Sequence, residues 1–440
     1  MRKLLLASAA SMGALLAATS GAMAQPVKPV AAGTVAVHLN GYLQFEIGAQ
    51  GSTFNTVGGN KLNTVATDGE VRLYPGFDGQ TIEGIDYGVQ VELRTSATNA
   101  GKGVNSNATA SNGNGTGGLY VRRAYGYLGT PDAGFVRFGQ TDSVYGLMQN
   151  GVLEAYGDGN QWPADGGPVS ILPTHAVPGQ FIYADQGALY ATDKIVYISP
   201  AYTDPLLGGA ANAGIGFEPS SNGFKQGYAN CTVAGSTCSA LTASSTPGDV
   251  NGTRRKDTVD VMAQYLLKAD GFASKFSGGY LHGSPVTYNG VPQESGPLVH
   301  GYDDLSAYQF GAQTTYAGLT LGANVKGGAI EDGYAMKPKG ARDALAYIVG
   351  ATYVIGPYVV GASYFNSQSA GTYDPTKAGK EARTLSEYGF TAGGNYVLAR
   401  QMNLFVEYMY GHAHQPGNAN LSAMGNTQAQ IVTAGATIKW

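Results

Sequence analysis

Sixteen stretches of this chain alternate apolar and polar residues with period two, and no other feature restricts its fold as much. From Val35 to Ile47 every odd position is apolar or glycine (Val35, Val37, Leu39, Gly41, Leu43, Phe45, Ile47), whereas the even positions include His38, Asn40, Tyr42, Gln44 and Glu46. Side chains along a β-strand point alternately to opposite faces, so such a stretch is a strand with one apolar and one polar face. Val89, Val91 and Leu93 stand against Gln90, Glu92 and Arg94 in the same way, and Val259, Val261 and Ala263 against Asp260 and Gln264. The pattern predicts strands near 35–48, 69–77, 84–97, 119–129, 133–140, 192–201, 211–218, 257–268, 272–282, 305–317, 318–328, 344–355, 357–366, 384–397, 401–412 and 428–440. Merging or splitting of segments leaves 14 and 18 as the alternative counts.

The connectors carry the next step. Long ones near 49–68, 98–118, 141–191, 219–256, 283–304, 329–343, 367–383 and 413–427 alternate with short ones such as Ala269-Asp270-Gly271, Gly356-Pro357 and Ala399-Arg400. All the long connectors therefore leave from one end, as they do in a membrane barrel with short turns on one side and long loops on the other. A sandwich has no reason to sort its loops, and a propeller would repeat a blade motif that is not found here. In hydrocarbon every strand N–H and C=O must be paired, so a spanning sheet has to close on itself. The expected fold is all-β: a 16-stranded antiparallel transmembrane β-barrel over residues 35–440.

Composition agrees with a chain whose strands give one face to lipid. Only 13% of the residues are charged, about half the ~25% usual in soluble proteins, and 66 of 440 are glycine, twice the usual ~7%. With 30 acids against 26 bases the formal charge is −4, which offers no polybasic surface for nucleic acid. Residues 1–24 read as a signal peptide: Arg2 and Lys3 form the charged start, Leu4 to Ala18 the apolar core and Ala22-Met23-Ala24 the cleavage site. Its removal leaves a formal charge of −6, with residues 25–34 as a short N-terminal segment. No later run of 18 apolar residues occurs, which excludes transmembrane helices.

The strands Gly84-Ile-Asp-Tyr-Gly-Val-Gln-Val-Glu-Leu-Arg94 and Ala133-Gly-Phe-Val-Arg-Phe-Gly-Gln-Thr-Asp142, the alternation of connectors and the aromatic C-terminus resemble the general diffusion porins of Gram-negative bacteria, especially the alphaproteobacterial type. The resemblance covers about 35 to 440 and implies an outer-membrane homotrimer. In it each barrel is a water-filled channel for passive diffusion of small hydrophilic solutes and ions, narrowed by an inward-folded third long loop. It further implies contact with outer-membrane lipid and lipopolysaccharide and delivery by the barrel-assembly machinery; no residue pattern points to a cofactor or to catalysis. The third long connector is the longest here. It holds Asp142, Glu154, Asp158, Asp165 and Asp185, with no lysine or arginine before Lys194. Polar faces of the early strands carry Arg72, Arg94 and Arg137, with Arg122 or Arg123, since a regular strand turns only one of two adjacent residues to the lumen. Arginines facing an acidic loop would set a transverse field across a constriction. The alternative is that they pair with cross-strand acids such as Glu70, Asp86 or Glu92. The chain lacks the Pro-Glu-Phe-Gly-Gly tip of the enteric loop. Trp440 stands where the family has a terminal aromatic, usually phenylalanine, that helps assembly; an interfacial anchor is the other reading.

Other motifs carry less. Cys231 and Cys238, in a long connector of an exported chain, point to a disulfide, because two thiols without a nearby histidine are half a zinc site. Gly113 to Gly118 matches a dinucleotide fingerprint but lacks the strand before and the helix after. His412 and His414 share a strand face without a third ligand, so no metal is expected. No hydrolase, zinc-protease or nucleotide-loop motif is found. The competing functions are a substrate-preferring channel, for sugars for example, and an outer-membrane enzyme or adhesin.

Overall fold

The computed structural model describes residues 31–440 except 54–55, 58–59, 62, 97–118, 152–154, 160–167, 173–191, 207, 221–254, 286, 289–290, 293–301, 331–333, 335, 338, 371–383 and 415–425. Beside two small ribbons, Thr56–Val57 with Asn60–Lys61 and Thr287–Tyr288 with Val291–Pro292, most of these residues form one closed sheet. Its strands are β1 (Val35–Ser52), β2 (Val65–Gln80), β3 (Asp86–Ser96), β4 (Tyr120–Thr130), β5 (Gly134–Thr141), β6 (Thr192–Ile198), β7 (Ala210–Ser220) and β8 (Arg255–Ala269). They continue as β9 (Phe272–Pro285), β10 (Leu305–Tyr316), β11 (Leu319–Ala329), β12 (Ala344–Ile355), β13 (Tyr358–Ala370), β14 (Thr384–Ala399), β15 (Met402–His414) and β16 (Asn426–Lys439). Each pairs antiparallel with its neighbours in sequence, and β1 closes the ring by pairing with both β2 and β16. The sixth strand is interrupted at Pro200 and resumes as Tyr202–Thr203 along β7, since proline has no N–H to give the ladder. Counted as one strand it makes sixteen, the number that the alternation predicts.

Phase decides which side chains go where. On β1, Val37, Leu39, Leu43, Phe45 and Ile47 are exposed while Gln44 and Glu46 are buried. On β12, Leu345, Tyr347 and Val349 are exposed and Ala346 and Ile348 buried. An exposed apolar phase running round a whole sheet would drive aggregation in water; hydrocarbon is the solvent that suits it. The short connections are tight. Asp270-Gly271 and Ala317-Gly318 both have positive φ at each residue, the type I′ geometry whose twist matches two-residue hairpins. In the long connector after β5, two single-turn helices are described, α1 (Val144–Leu147) and α2 (Pro168–Ile171).

Candidate functional site

Charged side chains gather on the buried phase of β2 to β5. Glu70 accepts from Arg72 and, at 2.5 Å, from the Tyr42 hydroxyl, while the Arg72 guanidinium lies 5.2 Å from the centre of the Tyr42 ring. Arg72 stands directly opposite Arg94. Glu92, only 2% exposed, accepts from Arg94 Nε at 2.5 Å, from Arg122 Nη1 at 3.2 Å and from Arg123 Nε. Arg123 also donates to Asp142. Arg137 is buried with its guanidinium 5.3 Å from the Tyr125 ring centre. Tyr127 donates to Asp78, whose other oxygen lies 3.2 Å from His38 Nε2.

Two expectations change here. A regular strand would bring only one of Arg122 and Arg123 to the lumen, yet both reach Glu92. The ladder shows why: Glu92 pairs with Arg123 but Leu93 pairs with Val121, so Arg122 is an extra residue in a β-bulge. Asp142, expected to face the arginines from a loop across the pore, instead joins them through Arg123. Pairing with Glu70 and Glu92, the alternative, is present, across strands for Arg122 and Arg123 with Glu92 but along one strand for Arg72 with Glu70 and Arg94 with Glu92, and the arginines remain together beside it.

The connector after β5 follows the wall on the other side. Tyr145 N–H donates to Asp260 of β8 at 3.0 Å, and Gln264 of β8 donates to the Met148 carbonyl at 2.7 Å. Asn150 donates its N–H to Ser277 of β9 at 3.1 Å, and its carbonyl accepts from Asn324 of β11 at 2.8 Å. Tyr156 donates to Ser363 of β13 at 2.8 Å and also bonds Thr391 of β14. Asp158 donates its N–H to Glu407 of β15 at 3.0 Å and accepts from Gln44 of β1 at 3.1 Å. Beneath these contacts the wall is apolar where a water-facing wall would be polar: Met262, Leu281, Ile348, Phe365, Met409 and Ile431 are buried in one cluster with Val144, Leu147, Met148 and Ile171. Glycines let the connector approach. A Cβ on Gly361 would sit 2.2 Å from the Tyr156 ring, and one on Gly311 would sit 2.1 Å from the Asn150 carbonyl oxygen. The described contacts thus run from β7 round to β1 and reach the Ala66 end of β2, and the arginines cluster on β2 to β5.

Further buried charges escape a reading of the sequence. Glu218 of β7 joins Lys194 of β6 at 2.9 Å to Arg255 of β8 at 2.8 Å. Lys326 of β11 donates to the Tyr334 hydroxyl at 2.9 Å and lies near the faces of the Tyr145 and Tyr334 rings. Nothing local marks these partners, which lie on neighbouring strands or on distant connectors. Trp440 exchanges backbone hydrogen bonds with Gly41 of β1 at 3.1 and 3.2 Å. His412 stacks on Tyr388, and His414 Nδ1 is 3.1 Å from Asn426. Among the described residues no group of three or more His, Cys, Asp or Glu has metal-binding geometry. Glu154, Asp165, Asp185, Cys231, Cys238, Gly113 to Gly118 and residues 1–30 lie outside the described residues.

A closed antiparallel ring with an apolar outer phase and buried charge within is a transmembrane β-barrel channel. The chain belongs to the Gram-negative porin family, whose sequence model matches residues 7–415. Its fold is similar to that of an anion-selective porin from Comamonas acidovorans, with 14% identity and a TM-score of 0.50 over 92% of this chain and 100% of that one. It is similar too to Salmonella typhi OmpF in complex with daunomycin, with 16% identity and a TM-score of 0.50 over 92% and 97%. No curated protein sequence matches the chain.

Proposed function

We propose that the chain forms a water-filled channel in the outer membrane of a Gram-negative bacterium, through which small hydrophilic solutes and ions diffuse passively. Family membership and the closed ring support this, and the carrying observation is the division of the inner wall. The connector after β5 contacts the wall from β7 round to β1 and the Ala66 end of β2, while the arginines cluster on β2 to β5, where of the described connector Asp142 reaches them. On this reading the connector folds into the lumen and narrows it, and the passage runs between its acids and Arg72, Arg94, Arg122, Arg123 and Arg137. A polar solute crossing such a field is oriented by it, whereas an apolar one cannot compensate for the water it displaces. Export by loss of residues 1–24, strand recognition through Trp440, and a non-catalytic homotrimer complete the proposal.

Planar-bilayer recording tests it. General diffusion gives step conductances that scale with bulk salt; neutralising Arg72, Arg94 and Arg137 together to glutamine shifts the reversal potential in a salt gradient toward cations. An unchanged reversal potential removes the arginines from the passage. A second reading, a channel preferring ring-shaped solutes such as sugars, is favoured by Tyr42, Tyr74, Tyr125 and Tyr127, which lie among the arginines. Aromatic faces stack on sugars. Conductance blocked saturably by a sugar would select it.

A further inference from the structure

We infer that Glu92 sets the ion preference of the channel, by fixing three guanidiniums and offsetting one unit of their charge, and that Arg122, supplied by the bulge, is the charge it offsets. This rests on the channel reading above. Among the described residues the arc holds five guanidiniums, those of Arg72, Arg94, Arg122, Arg123 and Arg137, and three carboxylates paired with them, those of Glu70, Glu92 and Asp142. The carboxylates are not equivalent. Glu70 meets Arg72 and Asp142 meets Arg123, whereas Glu92 is shared by Arg94, Arg122 and Arg123. It is 2% exposed, so water screens it little from the arginines it holds. Arg137 adds a guanidinium at the edge of this cluster, over the Tyr125 ring.

The bulge makes the arrangement adjustable by a single residue. In a regular ladder the residue between Arg123 and Val121 would face the apolar side, where charge is disfavoured. One inserted position instead puts a further guanidinium on the same carboxylate as its neighbours. Loss of Glu92 therefore adds one net positive charge to the arc, and loss of Arg122 subtracts one. A unit charge about 6 Å from an ion in water alters that ion's local concentration about threefold.

The test uses the full chain in planar bilayers under a KCl gradient, with permeability ratios taken from reversal potentials. Because the charge acts on the two ions in opposite senses, Glu92→Gln should raise the chloride-to-potassium ratio about tenfold, deletion of Arg122 should lower it by a similar factor, and Glu92→Gln combined with Arg122→Gln should return it toward the parent value. Glu92→Asp keeps the charge and should keep the ratio. If Glu92→Gln conducts with the parent's ratio, or if Glu92→Asp shifts it as far as glutamine does, the inference is overturned. Should Glu92→Gln fail to fold, deletion of Arg122 and Arg122→Gln decide by the same readout, and an unchanged ratio in both is equally fatal. A parent chain that inserts without conducting overturns the channel reading instead.

Discussion

At Arg122 one additional residue in β4 changes which side of the wall a guanidinium reaches. Period-two reasoning places Arg72, Arg94 and Arg137 together because each sits in unbroken alternation, but it can only offer Arg122 or Arg123 and fails at the bulge that brings both, where the count of residues and the count of ladder positions part. Glycine is equally ambiguous in a sequence. Gly361 looks like any residue of a glycine-rich strand, yet it is the site where the Tyr156 ring rests on β13. Gly361→Val places a side chain where that ring lies, so Tyr156 must leave Ser363 and Thr391. The expected cost is about 1–3 kcal/mol, as for other overpacked sites, seen as a lower unfolding midpoint in detergent and as noisier open-channel current. Equal midpoints and equal noise would show that Tyr156 has room to move aside.

At the level of elements, the strands were legible and the path of the connector after β5 was not. Each strand announces itself locally, because lipid on one side and the lumen on the other impose alternation within a few residues. The connector is placed by partners far away in sequence, such as Asp260, Ser277, Ser363 and Glu407, and no periodicity links them. One signal was available: Met262, Ile348, Met409 and Ile431 sit on the inward phase, where a wall meeting only water would hold polar groups. Their burial with Val144, Leu147, Met148 and Ile171 outweighs the polar contacts, since each apolar side chain contributes ~1.5–3 kcal/mol against ~1 kcal/mol for a hydrogen bond. Replacing Val144 and Met148 together by serine should therefore loosen the connector more than Asn324→Ala does. The measurement is single-channel conductance and its noise, and a larger effect from Asn324→Ala would reverse the ranking.

For the whole molecule, closure is the property that other properties depend on. A complete ring in which every strand has two neighbours unfolds cooperatively and resists detergent until heated. On a denaturing gel the unheated protein should run as a folded oligomer, at a position that collapses to a single chain after boiling; identical migration with and without boiling would contradict both the barrel and its self-association. The ring is sealed where β1 meets β16, from Tyr42 opposite Lys439 to Ser52 opposite Ala429. Because that seam joins the first strand to the last, no shortened version of the sheet can hide both of its borders. Every incomplete copy leaves two rows of unsatisfied amides and carbonyls that lipid cannot accept. An incomplete sheet therefore carries its own barrier to entering hydrocarbon.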